Sequence, residues 1–394
     1  MSTREVVVVS GARTGIGDYG GSLKDLPATK LGSIAIKEAV ARAKIDPDSI
    51  GHVVLGSVIH GEARDMYLSR VAAIDAGLPV GTPCLTVNRL CGSGLQAIVS
   101  AAQHILLGDT DVVVGGGAES MSRAAYFLPA GRWGQRMGDG AVVDAMTGAL
   151  HDPFGHGHMG VTAENIAARY GIGRAEQDAY AMESHRRAAN ALAKGYFTSQ
   201  VVPIEIKSKK GPVQYTTDEH VRPEVKLEDM QKLKTVFKKD GTVTAGNASG
   251  LNDAGAAIVM MEAGAAKKAG AQPMARLVAY AHAGVDPQVM GLGPIPAVKR
   301  VFEKSGLKPA DMDVVESNEA FAVQAMAVTR DLGLDPAKVN PNGGAVALGH
   351  PIGATGAILT VKALYELERI NGRYALVTMC IGGGQGIAAI FERA

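Results

Sequence analysis

Val87-Asn88-Arg89-Leu90-Cys91-Gly92-Ser93-Gly94-Leu95-Gln96-Ala97 lies in the first of two passages built to one plan. A β-branched run near 53–57 comes before it. Cys91-Gly92-Ser93-Gly94 then opens an apolar helical stretch, and residues 111–114 run into Gly115-Gly116-Gly117. In the second passage a run near 313–317 precedes His350-Pro351-Ile352-Gly353-Ala354-Thr355-Gly356, which opens another helical stretch. Residues 374–379 then run into Gly382-Gly383-Gly384. The interval from first strand to helix start is about 34 residues in one passage and about 33 in the other, the spacing expected of an internal duplication.

Outward from these two anchors, short apolar runs at 6–10, 53–56, 112–115, 277–279, 314–316 and 375–378 alternate with helical stretches such as 28–43, 94–107 and 355–367. Continuous apolar strands between helices predict an α/β fold with a buried, largely parallel sheet. The middle, 121–248, departs from the pattern. It is richer in Met, His, Lys and Asp, carries Lys207-Ser208-Lys209-Lys210-Gly211, and offers one good helix over 174–194 with few strand signals. Insertions of this length in α/β folds are commonly substrate-binding lids. The expected division is 1–120 with 249–270 as the first half, 121–248 as the inserted lid, and 271–394 as the second half.

Composition removes several function classes. Lys+Arg 40 against Asp+Glu 39 gives a net charge of +1, so no basic field points to nucleic acid or an anionic membrane. Three Cys, with no C-x-x-C spacing, argue against a disulfide framework or a metal cluster and favour a reducing, cytoplasmic setting. Residues 1–11 do not read as a signal peptide, and no apolar run is expected to approach the ~18 residues of a membrane span. Gly is in excess, at 50 of 394 residues, about twice the usual ~7%; that excess predicts tight turns and close backbone approach around a site.

Cys91, flanked by glycines and placed at the expected first turn of a helix, fits a nucleophile whose thiolate is favoured by helix N-terminal amides; the alternative is a small buried Cys. Cys84, in an ordinary apolar context, reads as the latter. His350, held between Gly349 and Pro351, suits a base toward a thiol, or else merely caps a helix. Cys380 at a strand end is followed by Gly382, and free amides there suit an oxyanion. Glu316-Ser317-Asn318-Glu319 brings an amide and a carboxylate to the same rim. Gly11-x3-Gly15-x-Gly17 matches the phosphate-binding turn of short-chain dehydrogenases. None of the ten Tyr has the Lys four residues later that those enzymes need.

Together these segments resemble the thiolase family over essentially the whole chain, through V-N-R-L-C-G-S-G-L-Q-A at 87–97, G-G-G-A-E-S-M-S at 115–122, H-M-G-V-T-A-E-N at 158–165, T-A-G-N-A-S-G-L-N-D at 244–253, N-E-A-F-A at 318–322, G-H-P-I-G at 349–353 and C-I-G-G-G-Q-G at 380–386. The chain is particularly similar to bacterial β-ketothiolases that supply polyhydroxyalkanoate precursors. The resemblance implies a thiolase fold, with duplicated βαβαβαββ halves in a five-layered αβαβα arrangement carrying an inserted lid. It implies acetyl-CoA C-acyltransfer by ping-pong chemistry. Cys91 would be the acylated nucleophile, His350 its base and a donor to the thioester oxygen, and Cys380 the second acid/base. Asn318 would hold a water beside His350 in one oxyanion hole, with the amides of Cys91 and Gly382 forming the other.

The resemblance further implies CoA contacts at Leu150, His158, Met159, Arg222, Phe237, Ala245, Ala248, Ser249, Met290 and Phe321. CoA enters as substrate and product; no cofactor and no metal is implied, and the family is commonly tetrameric. Lys207, Lys209 and Lys210 read as a solvated run or a contact for the 3′-phosphate. Three departures stand out: Asp229 where relatives often have Ser, Asn252-Asp253-Ala254-Gly255 at an expected helix start, and a Gly155-His156-Gly157 loop suited to longer acyl chains. A ketosynthase-like condensing enzyme and a non-catalytic acyl-CoA binder are the alternatives. The former is expected to use a second His where this chain has Asn318 and Cys380.

Overall fold

The computed structural model describes residues 4–208 and 211–394; Lys209 and Lys210 lie outside them. Strand β1 (Val6–Thr14) is apolar at consecutive positions because both of its faces are covered. Val6 and Val8 enter one core, and Val7 and Val9 another, as side chains alternating across a strand must.

The other long strands are β2 (His52–Gly56), β3 (Cys84–Val87), β4 (Val112–Ser120), β5 (Asn252–Glu262), β6 (Ala275–Gly284), β7 (Val314–Ser317), β8 (Tyr374–Ile381) and β9 (Gln385–Arg393). Their order is β7-β8-β9-β6-β1-β5-β4-β2-β3. The halves meet at β1 and β6, which share only the pairs Val7–Arg276 and Val8–Ala275. Outward from that seam each half repeats one pattern. The first neighbour is antiparallel (β5 on β1, β9 on β6), the second antiparallel (β4 on β5, β8 on β9), and the third parallel (β2 on β4, β7 on β8). This is the duplication expected from the sequence.

Helices α1 (Ala28–Ala43) and α2 (Leu68–Asp75) cover the outer face of the first half. Helices α6 (Pro294–Ser305) and α7 (Ala322–Asp331) cover that of the second. Between the halves lie α3 (Ser93–Leu107) and α8 (Thr355–Ile370), which share one core with strands of both. The fold is therefore the five-layered αβαβα arrangement. α3 and α8 meet through glycine: a Cβ on Gly94 would lie 2.7 Å from the Ala357 nitrogen, and one on Gly356 would lie 2.2 Å from the Leu95 nitrogen.

Four expectations are corrected. The sheet is mixed, with antiparallel pairs dominating; apolar runs report two buried faces, and here layering supplies both without parallel strands. The two triple glycines are not equivalent. Gly115–Gly117 stay inside β4, where a Cβ on Gly116 would meet the Ala256 oxygen at 2.3 Å, whereas Gly383 and Gly384 turn at φ +81° and +84°. Asn252–Gly255 begins strand β5, not a helix. Residues 90–107 do form a stretch long and apolar enough to cross a membrane, but α3 is a core helix between the two halves of the sheet.

The segment 121–248 carries more structure than its sequence advertised. It holds α4 (Met159–Tyr170) and α5 (Arg174–Ala193), a hairpin of Ile204–Ser208 with Gly211–Tyr215, and Val201–Val202 running parallel to β1.

Candidate active site

The ends of β3, β7 and β8 and the turn before α8 deliver four reactive side chains to one place. Cys91 follows β3 in a tight turn whose preceding residue, Leu90, has φ +46°. That left-handed backbone costs a non-glycine residue about 1–2 kcal/mol. Local bonds hold it there: the Leu90 N–H donates to Asn88 Oδ1 at 2.9 Å, and Ser93 Oγ donates to the Leu90 carbonyl at 2.7 Å. A Cβ on Gly92 would lie 2.6 Å from Ile381 Cδ1, so glycine lets the Cys91 turn seat against the end of β8.

His350 sits in the turn entering α8. Its backbone N–H donates to Asn252 Oδ1 at 2.8 Å, and Nδ1 lies 2.7 Å from Thr355 Oγ1. The Thr355 hydroxyl has a single proton, and the Pro351 carbonyl 2.9 Å away can only accept it. Nδ1 therefore carries the ring proton, and Nε2 presents a lone pair, with Asn318 Nδ2 at 3.4 Å as donor. Asn318 is fully buried just past β7, its N–H held by the Thr378 carbonyl at 3.0 Å, and its Oδ1 has no partner among the described residues.

Electrostatics here correct one expectation. Helix α3 begins at Ser93 rather than at Cys91, and burial pushes the Cys91 thiol up, against the Gly382 and Cys91 backbone N–H groups aimed at its sulfur. Cys380 is pushed up further, by burial and by the proximity of Cys91. Burial pushes His350 down to about 4. The resting site thus holds two thiols and a neutral imidazole.

Cys91 and His350 form the floor of a cavity of about 450 Å³. All ten of the positions named from the resemblance, Leu150, His158, Met159, Arg222, Phe237, Ala245, Ala248, Ser249, Met290 and Phe321, line it. Cys380, Asn318 and Gly382 adjoin its reactive end without lining it: Asn318 Nδ2 lies 3.4 Å from His350 Nε2, and the Gly382 N–H and the Cys380 thiol neighbour Cys91. His158 begins α4, with Nδ1 accepting from the Gly160 N–H at 3.1 Å; burial first, then His151, push it down to about 4. Its ring stacks on Phe237 at 4.6 Å, which meets Phe321 edge-on at 6.2 Å. The walls are apolar, and the charged lining comes at Arg222 beside His220. Asp229 lies in a smaller pocket that shares Arg222, His220 and Ala245 with the cavity.

A larger groove of about 640 Å³ lies between Arg42 and Arg369, but it contains neither the reactive thiols nor His350. Cys84 packs against the core of the first half, with a 3.5 Å contact to the Thr82 carbonyl and Arg70 beside its sulfur, as a packing Cys would. Among the described residues no cluster of His, Cys, Asp or Glu is arranged to hold a metal ion. Sequence reasoning missed Thr355, Asn252, Met121 and His220. Thr355 stood inside the quoted motif, five residues from His350, but nothing local shows that a hydroxyl there fixes a tautomer.

Residues 6–264 match the family model for the thiolase N-terminal domain, and residues 271–393 match that for the thiolase C-terminal domain. The chain belongs to the thiolase family. This thiolase is 66% identical over 392 residues, covering 99% of it and 100% of the relative, to beta-ketothiolase BktB of Cupriavidus necator. It is 48% identical over 391 residues to an acetyl-CoA acetyltransferase of the same organism, covering 99% of each chain. Its fold superposes on human mitochondrial 3-ketoacyl-CoA thiolase with a TM-score of 0.98 at 46% identity over the whole of both chains. It superposes on that enzyme in complex with CoA with a TM-score of 0.97 at 45% identity, covering 100% of this thiolase and 98% of the other chain.

Proposed function

We propose that this thiolase is a β-ketothiolase that interconverts two acyl-CoA molecules with a 3-ketoacyl-CoA and free CoA. The observation that carries the reading is that Cys91 and His350, with Asn318 and Cys380 beside them, meet at an apolar cavity with arginine in its lining. A ketosynthase-like site is disfavoured because Asn318 and Cys380 stand where a second imidazole is needed.

In the cleavage direction, Cys91 gives its proton to His350 Nε2 and its sulfur attacks the 3-keto carbon. The bond between C2 and C3 breaks, and the electron pair moves into an enolate thioester. Cys380 donates its proton to C2, releasing acetyl-CoA. The acyl-Cys91 enzyme then carries a Cys380 thiolate and a His350 imidazolium. Incoming CoA loses its thiol proton to Cys380, and its sulfur attacks the acyl carbon. Cys91 leaves and recovers its proton from His350. Condensation is the same path reversed. Fixed donors do the electrostatic work on each oxyanion: the Cys91 and Gly382 amides for the tetrahedral oxygen, and His350 with an Asn318-held water for the enolate oxygen. CoA serves as substrate and product, and the chemistry needs no other cofactor.

In this reading 121–248 acts as the lid, the Gly155–Gly157 loop admits acyl chains longer than acetoacetyl, and the protein works in the cytoplasm as a tetramer. Exposed apolar residues on the β3 edge and on the 126–143 segment, among them Val80, Leu85, Trp133 and Met137, support assembly. The test is CoA-dependent loss of acetoacetyl-CoA and of a six-carbon 3-ketoacyl-CoA, with Cys91→Ser as control. Turnover of both by the native chain and of neither by the variant is expected. A reduced, folded native protein that turns over neither is an acyl-CoA binder instead.

A further inference from the structure

Strand β4 carries a fully buried carboxylate that the chemistry above does not use. Glu119 has no exposed surface, and among the described residues no Lys or Arg pairs with it. Three backbone N–H groups donate to it from two separate segments. Oε2 accepts from Val58 at 3.0 Å and from Gly353 at 2.9 Å, and Oε1 accepts from Ile59 at 3.1 Å. Gly353 belongs to the turn that carries His350. The fit there is tight: a Cβ on Gly353 would lie 2.5 Å from Glu119 Oε2, and a Cβ on Gly117, two residues back on β4, would lie 2.2 Å from the Gly353 oxygen. Glycine at 117 and 353 thus lets the histidine turn lie directly on β4, and Glu119 locks it to the segment following β2.

We propose that Glu119 is a positioning residue for the thiolase reaction: it clamps the His350 turn to the 57–59 segment and so fixes the imidazole relative to Cys91, which packs on Ile59 and Ile352 at the two clamped ends. The proposal rests on the β-ketothiolase reading for its kinetic arm only. Burial pushes the Glu119 carboxyl up to about 8, against the N–H donors of Ile59, Val58 and Gly353 and with Asp65 nearby, so the clamp holds through these three bonds.

The experiment compares native protein, Glu119→Gln and Glu119→Asp in two assays. Gln sets an NH₂ against a backbone N–H, and Asp, one methylene shorter, cannot reach all three donors. In the first assay, hydrogen exchange, the N–H groups of Val58, Ile59 and Gly353 are expected to be protected in native protein and to exchange at least tenfold faster in both variants. In the second assay, thiolysis of acetoacetyl-CoA, both variants are expected to lose at least tenfold in kcat with KM changed less than threefold, because Glu119 does not line the cavity.

A variant that keeps kcat within twofold, or one that raises KM as much as it lowers kcat, overturns the positioning role. Should both variants fail to fold, hydrogen exchange on the native protein decides. Val58, Ile59 and Gly353 lie outside helices and strands, yet their N–H groups are expected to be protected, and fast exchange at these three overturns the proposal. Exchange is independent of turnover, so native protein that fails to cleave acetoacetyl-CoA sinks the functional reading and leaves this test standing.

Discussion

Thr355→Val is the perturbation that most directly probes how His350 becomes a base. The substitution keeps shape and removes one hydroxyl, the acceptor 2.7 Å from His350 Nδ1. Thr355 is 2% exposed, so water does not replace that acceptor. A buried N–H left without a partner costs about 1–3 kcal/mol. The ring escapes the cost by moving its proton to Nε2, but that consumes the lone pair Cys91 requires. In both outcomes the base-competent state loses that free energy, and at about 1.4 kcal/mol per factor of ten in rate kcat/KM falls about ten- to hundredfold. Thr355 does not line the cavity, so KM for CoA stays within about twofold. Steady-state thiolysis of acetoacetyl-CoA reads both parameters. Thr355→Ser, which keeps the hydroxyl, serves as control and is expected to stay within a few-fold of native. A Val variant as active as the Ser variant would refute the argument that this hydroxyl selects the tautomer.

Two other perturbations follow from contacts in the same cavity. In Gly160→Ala the new Cβ falls 2.2 Å from Phe237 Cδ2, so the ring that stacks on His158 must swing into the cavity. Overpacking of this kind costs about 1–3 kcal/mol, and the expected result is KM for acyl-CoA raised about fivefold or more with kcat little changed; an unchanged KM removes Phe237 from the binding wall. Acid stability supplies the other test. His158, His185, His282 and His350 are each pushed to about 4 in the folded chain, chiefly by burial, from about 6.5 in an unfolded one. Their contribution is fully present above about pH 6.5 and is lost as pH falls toward about 4, because only the unfolded chain binds the protons. Urea midpoints at pH 7.5 and 5 are expected to differ clearly in that sense, and equal midpoints contradict it.

The duplication, and the place of Cys91 and His350 in one cavity lining, were legible because the evidence for them is local. Glycines mark the places where a backbone must come close, and β-branched runs mark buried strands. Helix α1 was readable to the residue for the same reason. The direction of the strands was not, since burial on both faces looks the same in a parallel and an antiparallel ribbon. The Cys91 thiol was expected to be lowered by helix amides, and is raised instead, because desolvation depends on everything the fold places around the sulfur. Thr355 and Glu119 carried no signal of their own. The partners that give Glu119 its meaning, Val58, Ile59 and Gly353, are 61, 60 and 234 residues away.

The dehydrogenase-like Gly11–Gly17 motif acquires its explanation from the lid. Arg13 is completely buried and forks onto Asp218, with Nη1 at 2.7 Å from Oδ1 and Nη2 at 2.9 Å from Oδ2. Its Nε donates to Gln200 Oε1 at 2.8 Å. The Ile16 N–H donates to the same carboxylate at 2.9 Å, and a Cβ on Gly15 would lie 2.4 Å from the Thr217 oxygen. The glycines are there to admit the lid's own chain, not a pyrophosphate. At the far side, Tyr180 and Ser184 of α5 hold Glu319, next to Asn318, at 3.1 and 2.7 Å. The segment that builds much of the cavity wall is therefore anchored by buried polar bonds to both halves. Removing one partner of a buried pair such as Arg13–Asp218 costs about 3–5 kcal/mol, so the wall is held as firmly as the core beneath it. The shape of the cavity at Met159, Met290, Phe237 and Phe321 is then set by a wall fixed to both halves.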